Sequence, residues 1–248
     1  MSSRKGFTLV ELLVVMGIAG VLFAALLNSL VVSGRVHDRQ SARDRVQADV
    51  ESVALSLTTD LGRAGFLSDD PAAVTWLAQN WPTASHPTVR VVAGNPYDDL
   101  TVRWGAEGAD CPSGADVSYT VGGQTVCVRS VRYYVSDGQL YRDLDEADPV
   151  AVLPYTVEAF QVFYRDRDGT WSSSLPPSSS LAAVGVYLRV AAPYEGEAGC
   201  GTYPSSEVLA AYGSAGSLGI PQATYGTCDG VLRLERVVGV GLANLQRY

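Results

Sequence analysis

Glu11 is the only ionisable side chain in an apolar run that extends from Phe7 to about Val32. A carboxylate held in a membrane-length segment costs roughly 2.5 to 3.5 kcal/mol near the middle of a bilayer and less toward its edge. A group placed there calls for an opposite charge in the same medium. Immediately in front of the run stand two cations, Arg4 and Lys5, and one small residue, Gly6.

Other side chains with chemical potential are few. The histidines are His37 and His86. His37 falls on a helical stretch, which leaves His86, beside Pro87, as the base available to a histidine-dependent triad outside the membrane. The serines of Ser172 to Ser174 and Ser178 to Ser180 lack a glycine-framed nucleophile turn and read as surface loop. Asp166, Asp168 and Gly169 open in the manner of a calcium loop, but the twelfth position, where an EF-hand needs an acid, is Pro177. Trp76, Trp81, Tyr97 and Trp104 read as packing residues, with a sugar- or base-stacking face as the alternative. We therefore expect no enzyme activity, no catalytic residue, no metal site and no cofactor.

Cys111, Cys127, Cys200 and Cys228 all lie beyond the apolar run. An even number of cysteines on the oxidising side of a membrane favours disulfides. Three connectivities are possible. We take Cys111 with Cys127 and Cys200 with Cys228, since each pair brackets a Gly-rich loop. Zinc is the competing reading, disfavoured because there is no C-x-x-C and histidine is nearly absent.

The elements that must position these residues follow from periodicity. The apolar run is long enough to cross a bilayer, which takes about 20 residues, and its basic flank places the amino terminus in the cytoplasm with the remainder facing outward. A secretory signal would be shorter and would end at a small-residue cleavage site. Gly17, Ala19, Gly20, Ala24 and Ala25 give this helix small surfaces that permit close helix contact. Beyond it Val46, Val50, Val53, Leu57 and Leu61 form one apolar stripe. Together these predict a single stem helix from Phe7 to about Ala64, ending where Gly62 and Gly65 gather.

After Pro71 the texture changes to short strands: Thr88 to Val92, Leu100 to Trp104, Val117 to Val121, Thr125 to Val135, Val157 to Tyr164, Val184 to Val190 and Val231 to Val240. Gly122-Gly123, Asp137-Gly138 and Asp168-Gly169 sit where hairpin turns belong. Ser172 to Ser180 and Pro193 to Tyr225 read as long surface loops. The net charge of −8 argues against a general electrostatic grip on DNA, because duplex binding rests largely on cations at phosphates; a local basic patch stays open.

The series Gly6, Phe7, Thr8, Leu9, Val10, Glu11 resembles the class III signal of type IV pilins and of the pseudopilins of type II secretion. The resemblance implies that a prepilin peptidase cuts after Gly6 and that the new terminal residue, Phe7, is N-methylated. It further implies that Glu11 pairs with a neighbouring subunit's terminal amine and draws it into register. Four residues separate Phe7 from Glu11, so both lie on one helix face. Asp60-Leu61-Gly62-Arg63-Ala64-Gly65-Phe66, the hairpin Val131 to Val135 with Asp137-Gly138 and Leu140-Tyr141-Arg142, and the strands Val157 to Tyr164 and Val184 to Arg189 are similar to the minor pilins called PilW and the J-type minor pseudopilins. Arg142 is the most telling single residue of that finer match.

The resemblance implies an α+β fold, a long stem packed on an antiparallel pilin-like sheet. It divides the chain into a leader (1–6), a stem helix (7–64, with 7–32 transmembrane and 33–64 amphipathic) and a β-rich domain (65–248). The implied function is that of a minor pilin initiating or capping a type IV pilus, used in twitching, adhesion or DNA uptake by natural transformation. The alternatives are a minor pseudopilin of type II protein secretion and a ligand-binding tip adhesin. Implied partners are other pilins through the stem, the prepilin peptidase, an inner-membrane assembly platform and inner-membrane lipid, with DNA or a surface ligand as a further candidate. The implied location is a single pass of the inner membrane before assembly and a pilus or pseudopilus after it.

Overall fold

A computed structural model of the chain describes residues 9–65, 89–111, 118–121, 123–176, 181–194, 201–225 and 230–242. Two units divide it, Met1–Arg45 and Val46–Tyr248. One helix, α1, runs from Leu9 to Gly62. Its 54 residues hold no proline and are rich in Leu, Val and Ala, so nothing in its interior breaks the hydrogen-bond ladder. Near its end Ser56, Thr58 and Thr59 donate their hydroxyls to the carbonyls of Ser52, Ala54 and Leu55, four residues back, a local bond that keeps these poor helix formers satisfied. The chain leaves the helix through Gly65, whose φ of 108° suits glycine. Gly65 then bonds beside Trp104, donating to the Arg103 carbonyl and accepting from the Gly105 amide.

In the first unit every described residue from Leu9 to Arg45 is exposed. In the second, the stripe expected from spacing is buried: Val46, Val50, Val53, Leu57 and Leu61, joined by Ala54 and Asp60.

Two antiparallel sheets follow. The first takes the order β1 (Val89–Val92), β2 (Asp99–Glu107), β4 (Gln124–Ser136), β5 (Gln139–Leu144) and β6 (Val150–Ala151), with β3 (Ser118–Val121) also paired to β4. β5 and β3 share one side of β4, since β5 pairs with Val131 to Ser136 and β3 with Gln124 to Cys127. Asp137 and Gly138 join β4 to β5 with φ of 51° and 75°, the double positive φ of a two-residue turn matched to strand twist. Cys111 and Cys127 form a disulfide that ties the end of β2 to the buried base of β4. The proposed partner pair, Cys200 and Cys228, lies outside the described residues.

The second sheet takes the order β12 (Val231–Gly241), β9 (Leu181–Pro193), β7 (Thr156–Asp166) and β8 (Trp171–Ser172). Asp166 to Thr170 form the turn between β7 and β8. There Asp166 Oδ1 accepts from the Thr170 amide at 2.8 Å, so this carboxylate serves a hairpin. Alternate residues of β7 and β9 face two different cores. Phe160, Val162, Tyr164, Val184, Val186 and Leu188 join the α1 stripe and the first sheet in the main core. Ala159, Phe163 and Tyr187 face a second, smaller one with Leu218 and Ile220.

That second core corrects the sequence reading of Pro193 to Tyr225 as surface loop. Residues 201–225 fold into a hairpin, β10 (Gly201–Tyr203) with β11 (Ala223–Tyr225), and two short helices, α2 (Ser206–Tyr212) and α3 (Ala215–Leu218). Ser205 and Ser214 cap the helices through their side-chain oxygens. The physical reason for the miss is length: helices of seven and four residues span two turns at most, too few for a 3.6-residue period to stand out.

A bulge explains how this layer is fastened. Strand register between β7 and β9 shifts between Val157 and Ala159, which leaves Glu158 as the extra residue. Glu158 thereby meets Arg233 Nε at 2.9 Å and the Tyr225 hydroxyl at 3.1 Å. Arg189 Nε lies 3.1 Å from Glu158 Oε2, an ion-pair distance without hydrogen-bond alignment. Glu235 accepts from the Ser205 amide at 2.9 Å and from the Tyr187 hydroxyl at 3.0 Å. Glu158 thus faces both buried arginines, Arg189 and Arg233, while Glu235 holds the Ser205 amide and the Tyr187 hydroxyl.

The segment between β1 and β2 seals the edge of β7. Asp98 is buried and accepts from the Gly94 amide at 2.9 Å and the Val162 amide at 2.7 Å. Tyr97 bridges to Phe160 and donates its hydroxyl to the Val157 carbonyl at 2.9 Å. Burial raises the Asp98 carboxyl above its ordinary value of 3.8, and the two amide bonds offset part of that rise.

Candidate functional site

The residues that carry chemistry lie along α1. Gly6 and Phe7, the expected cleavage and methylation positions, lie outside the described residues. Glu11 stands in the first turn of α1 and is exposed. A carboxylate there interacts favourably with the partial positive charge of a helix amino terminus.

Around it the helix presents apolar side chains on all sides. Leu9 is 75% exposed, Val10 69%, Leu22 61% and Leu12 56%, four residues that point to different sides of the helix. A continuous apolar surface of this size exceeds what monomeric soluble proteins expose. The helix is long and apolar enough to cross a membrane. Gly17 and Gly20 have open space where a Cβ would sit, so a neighbouring helix meets bare backbone at these positions.

The far end of α1 carries a second acidic position. Asp60 is 2% exposed. Arg142 on β5 grips it with two bonds, Nε to Oδ2 at 2.9 Å and Nη2 to Oδ1 at 3.2 Å, and the Tyr133 hydroxyl on β4 donates to Oδ2 at 2.6 Å. Tyr133 also accepts from Arg142 Nε at 3.1 Å, which closes the triangle. Burial and the neighbouring carboxylate push the Tyr133 hydroxyl well above its ordinary range, and the hydrogen bond to Asp60 raises Arg142. The two sequence features tied to the finer family match, Asp60 and Arg142, are thus one contact. Tyr155, donating to Asp49 at 2.7 Å, and Arg236, paired with Glu51 at 3.0 Å, hold the same half of the helix.

Among the described residues no triad or metal cage emerges. His37 is exposed on α1 and His86 lies outside the described residues, and among the described residues no group of three His, Cys, Asp or Glu side chains is placed to hold a metal. Of the aromatic residues, Trp104 is buried between Arg63 and Arg129, whose guanidinium carbons stand 5.9 and 5.8 Å from its ring centre, and Tyr97 is used at the β7 edge. Trp76 and Trp81 lie outside the described residues.

A stem helix followed by antiparallel sheets, fastened through a buried acid on the helix, makes an α+β fold. Residues 1–27 match the prokaryotic N-terminal methylation motif. In fold the chain is similar to the type IV-like pilin TTHA1219 from Thermus thermophilus, with a TM-score of 0.56 and 22% sequence identity, over 81% of this chain and 98% of that one. No curated protein sequence matches the chain. The chain therefore carries a prokaryotic N-terminal methylation motif on a type IV pilin-like fold.

Proposed function

We propose that this chain is a structural subunit of a type IV pilus, a minor pilin of the PilW or J-type group. It enters the inner membrane with its amino terminus in the cytoplasm and its β-rich domain outside. Prepilin peptidase removes residues 1–6, Phe7 is methylated, and the stem (7–64) joins other pilins at an assembly platform to start or cap the filament. The 65–248 domain stands outside the helical core.

The observation that carries this reading is the methylation motif over residues 1–27 at the head of an apolar helix with Glu11 in its first turn. Glu11 would meet the methylated terminal amine of an adjacent subunit in the bilayer, where an unpaired carboxylate is costly. Bare backbone at Gly17 and Gly20 supports helix-to-helix packing. A pseudopilin would share all of these features, and the role in motility, adhesion or DNA uptake rests on the apparatus it joins.

The test is Glu11→Ala in the native host. We expect normal membrane insertion and leader removal, with the subunit falling at least tenfold in sheared filaments. Incorporation at the wild-type level would reject the pairing.

A further inference from the structure

We propose that Arg35, Arg39 and Arg43 form a stripe that binds the phosphate-bearing headgroups of anionic phospholipid in the leaflet from which α1 emerges. The proposal rests on the membrane-anchored reading above. All three arginines are exposed on an unbroken helix. At 100° per residue their spacing of four confines them to an arc of about 80°. Asp38 and Asp44 fall outside that arc, Asp44 on the opposite side. Neither hydrogen bond nor ion pair engages Arg35, Arg39 or Arg43 among the described residues.

The apolar run ends at Val32, and with 1.5 Å rise per residue Arg35 lies about 4 to 5 Å beyond it, Arg39 about 10 Å and Arg43 about 16 to 17 Å. A headgroup layer is roughly 5 to 8 Å deep on each side of the hydrocarbon. Side chains of a helix tilt toward its amino terminus, which here means back toward the bilayer, so the long stems of Arg35 and Arg39 carry their guanidinium groups down among the phosphates, and Arg43 stands just outside the layer, within about one screening length of it. The guanidinium fork matches phosphate oxygens in pairs.

The experiment reconstitutes the full chain into vesicles of equal phosphatidylglycerol and phosphatidylcholine, solubilises it gently and counts retained lipid by native mass spectrometry. We expect the wild-type chain to retain phosphatidylglycerol about tenfold over phosphatidylcholine. The triple variant R35Q/R39Q/R43Q should lose that excess while its circular dichroism stays unchanged. Equal retention of both lipids by the wild type, or an undiminished excess in the variant, overturns the proposal and turns the stripe toward a protein partner. A wild-type chain that retains no phosphatidylglycerol excess yet binds inorganic phosphate, with that binding lost in the triple variant, also overturns it, because the ligand is then the free anion. Should the chain wash out of these vesicles at alkaline pH, the anchored reading itself fails. Retention in the bilayer without lipid preference defeats the stripe alone.

Discussion

Arg142 holds Asp60 across 82 residues of sequence, with two nitrogens on two carboxylate oxygens at 2.9 and 3.2 Å. The contact ties the last turns of α1 to the hairpin of β4 and β5, inside the Val46–Tyr248 unit. Removing one member of a buried pair leaves the other uncompensated, at about 3 to 5 kcal/mol. Because the Arg142 side chain keeps 28% exposure, the lower end applies. Asp60→Ala should cost about 3 kcal/mol and Tyr133→Phe about 1 to 2 kcal/mol, read by urea unfolding of the solubilised chain. If both substitutions change stability by less than about 0.5 kcal/mol, the contact is not what fastens the stem.

Asp98 gives the fold a pH signature. Its carboxyl is raised chiefly by burial, so the folded state favours the neutral acid more than the unfolded chain does. The corresponding stability is fully present below the ordinary value of 3.8 and drains away as pH climbs through the raised one. The midpoint of thermal unfolding, taken relative to Asp98→Asn, should therefore fall as pH rises from about 3 into the neutral range. A difference that grows with pH would reverse the sign and show that the amide bonds outweigh burial.

Gly185 sits opposite Phe163 in the pairing of β7 and β9, where a Cβ would overlap the Phe163 ring. That ring packs edge-on against Trp171 and Tyr212 at centroid distances of 5.1 and 5.6 Å. Gly185→Ala should cost about 1 to 3 kcal/mol through forced displacement and weaken the near-ultraviolet dichroism of the aromatic trio. Unchanged stability and spectrum would mean that the second core accommodates the methyl freely.

The link between Cys111 and Cys127 closes a separation of 16 residues, worth about 3 kcal/mol in the chain-entropy description. Substituting both by serine should lower stability by that order without unfolding the chain, because Arg129 independently restrains the loop by donating to the Asp110 carbonyl at 3.0 Å. Non-reducing peptide mapping should also recover Cys200 joined to Cys228. A Cys111 to Cys200 peptide would contradict both assignments.

Legibility in the sequence followed the range of the interactions. The buried stripe from Val46 to Leu61 and the turn at Asp137-Gly138 are local signals, set by periods of 3.6 and by positive φ, and both stand in the structure. Asp60 and Arg142 are each legible as residues, yet their pairing is not, because no local pattern joins positions 82 apart. Glu158 was illegible for a different reason: a bulge adds one residue and turns its side chain to the face that strict alternation would deny it. The layer over residues 201–225 escaped notice because its elements are too short to show a period.

The proposed assembly role stands or falls on the amino terminus that the mature chain presents. Intact-mass and fragment mass spectrometry of the chain purified from its native membrane should find N-methylated Phe7 as the first residue, with residues 1–6 absent. A functional chain that still begins at Met1, or that is cut elsewhere and unmethylated, would contradict the account.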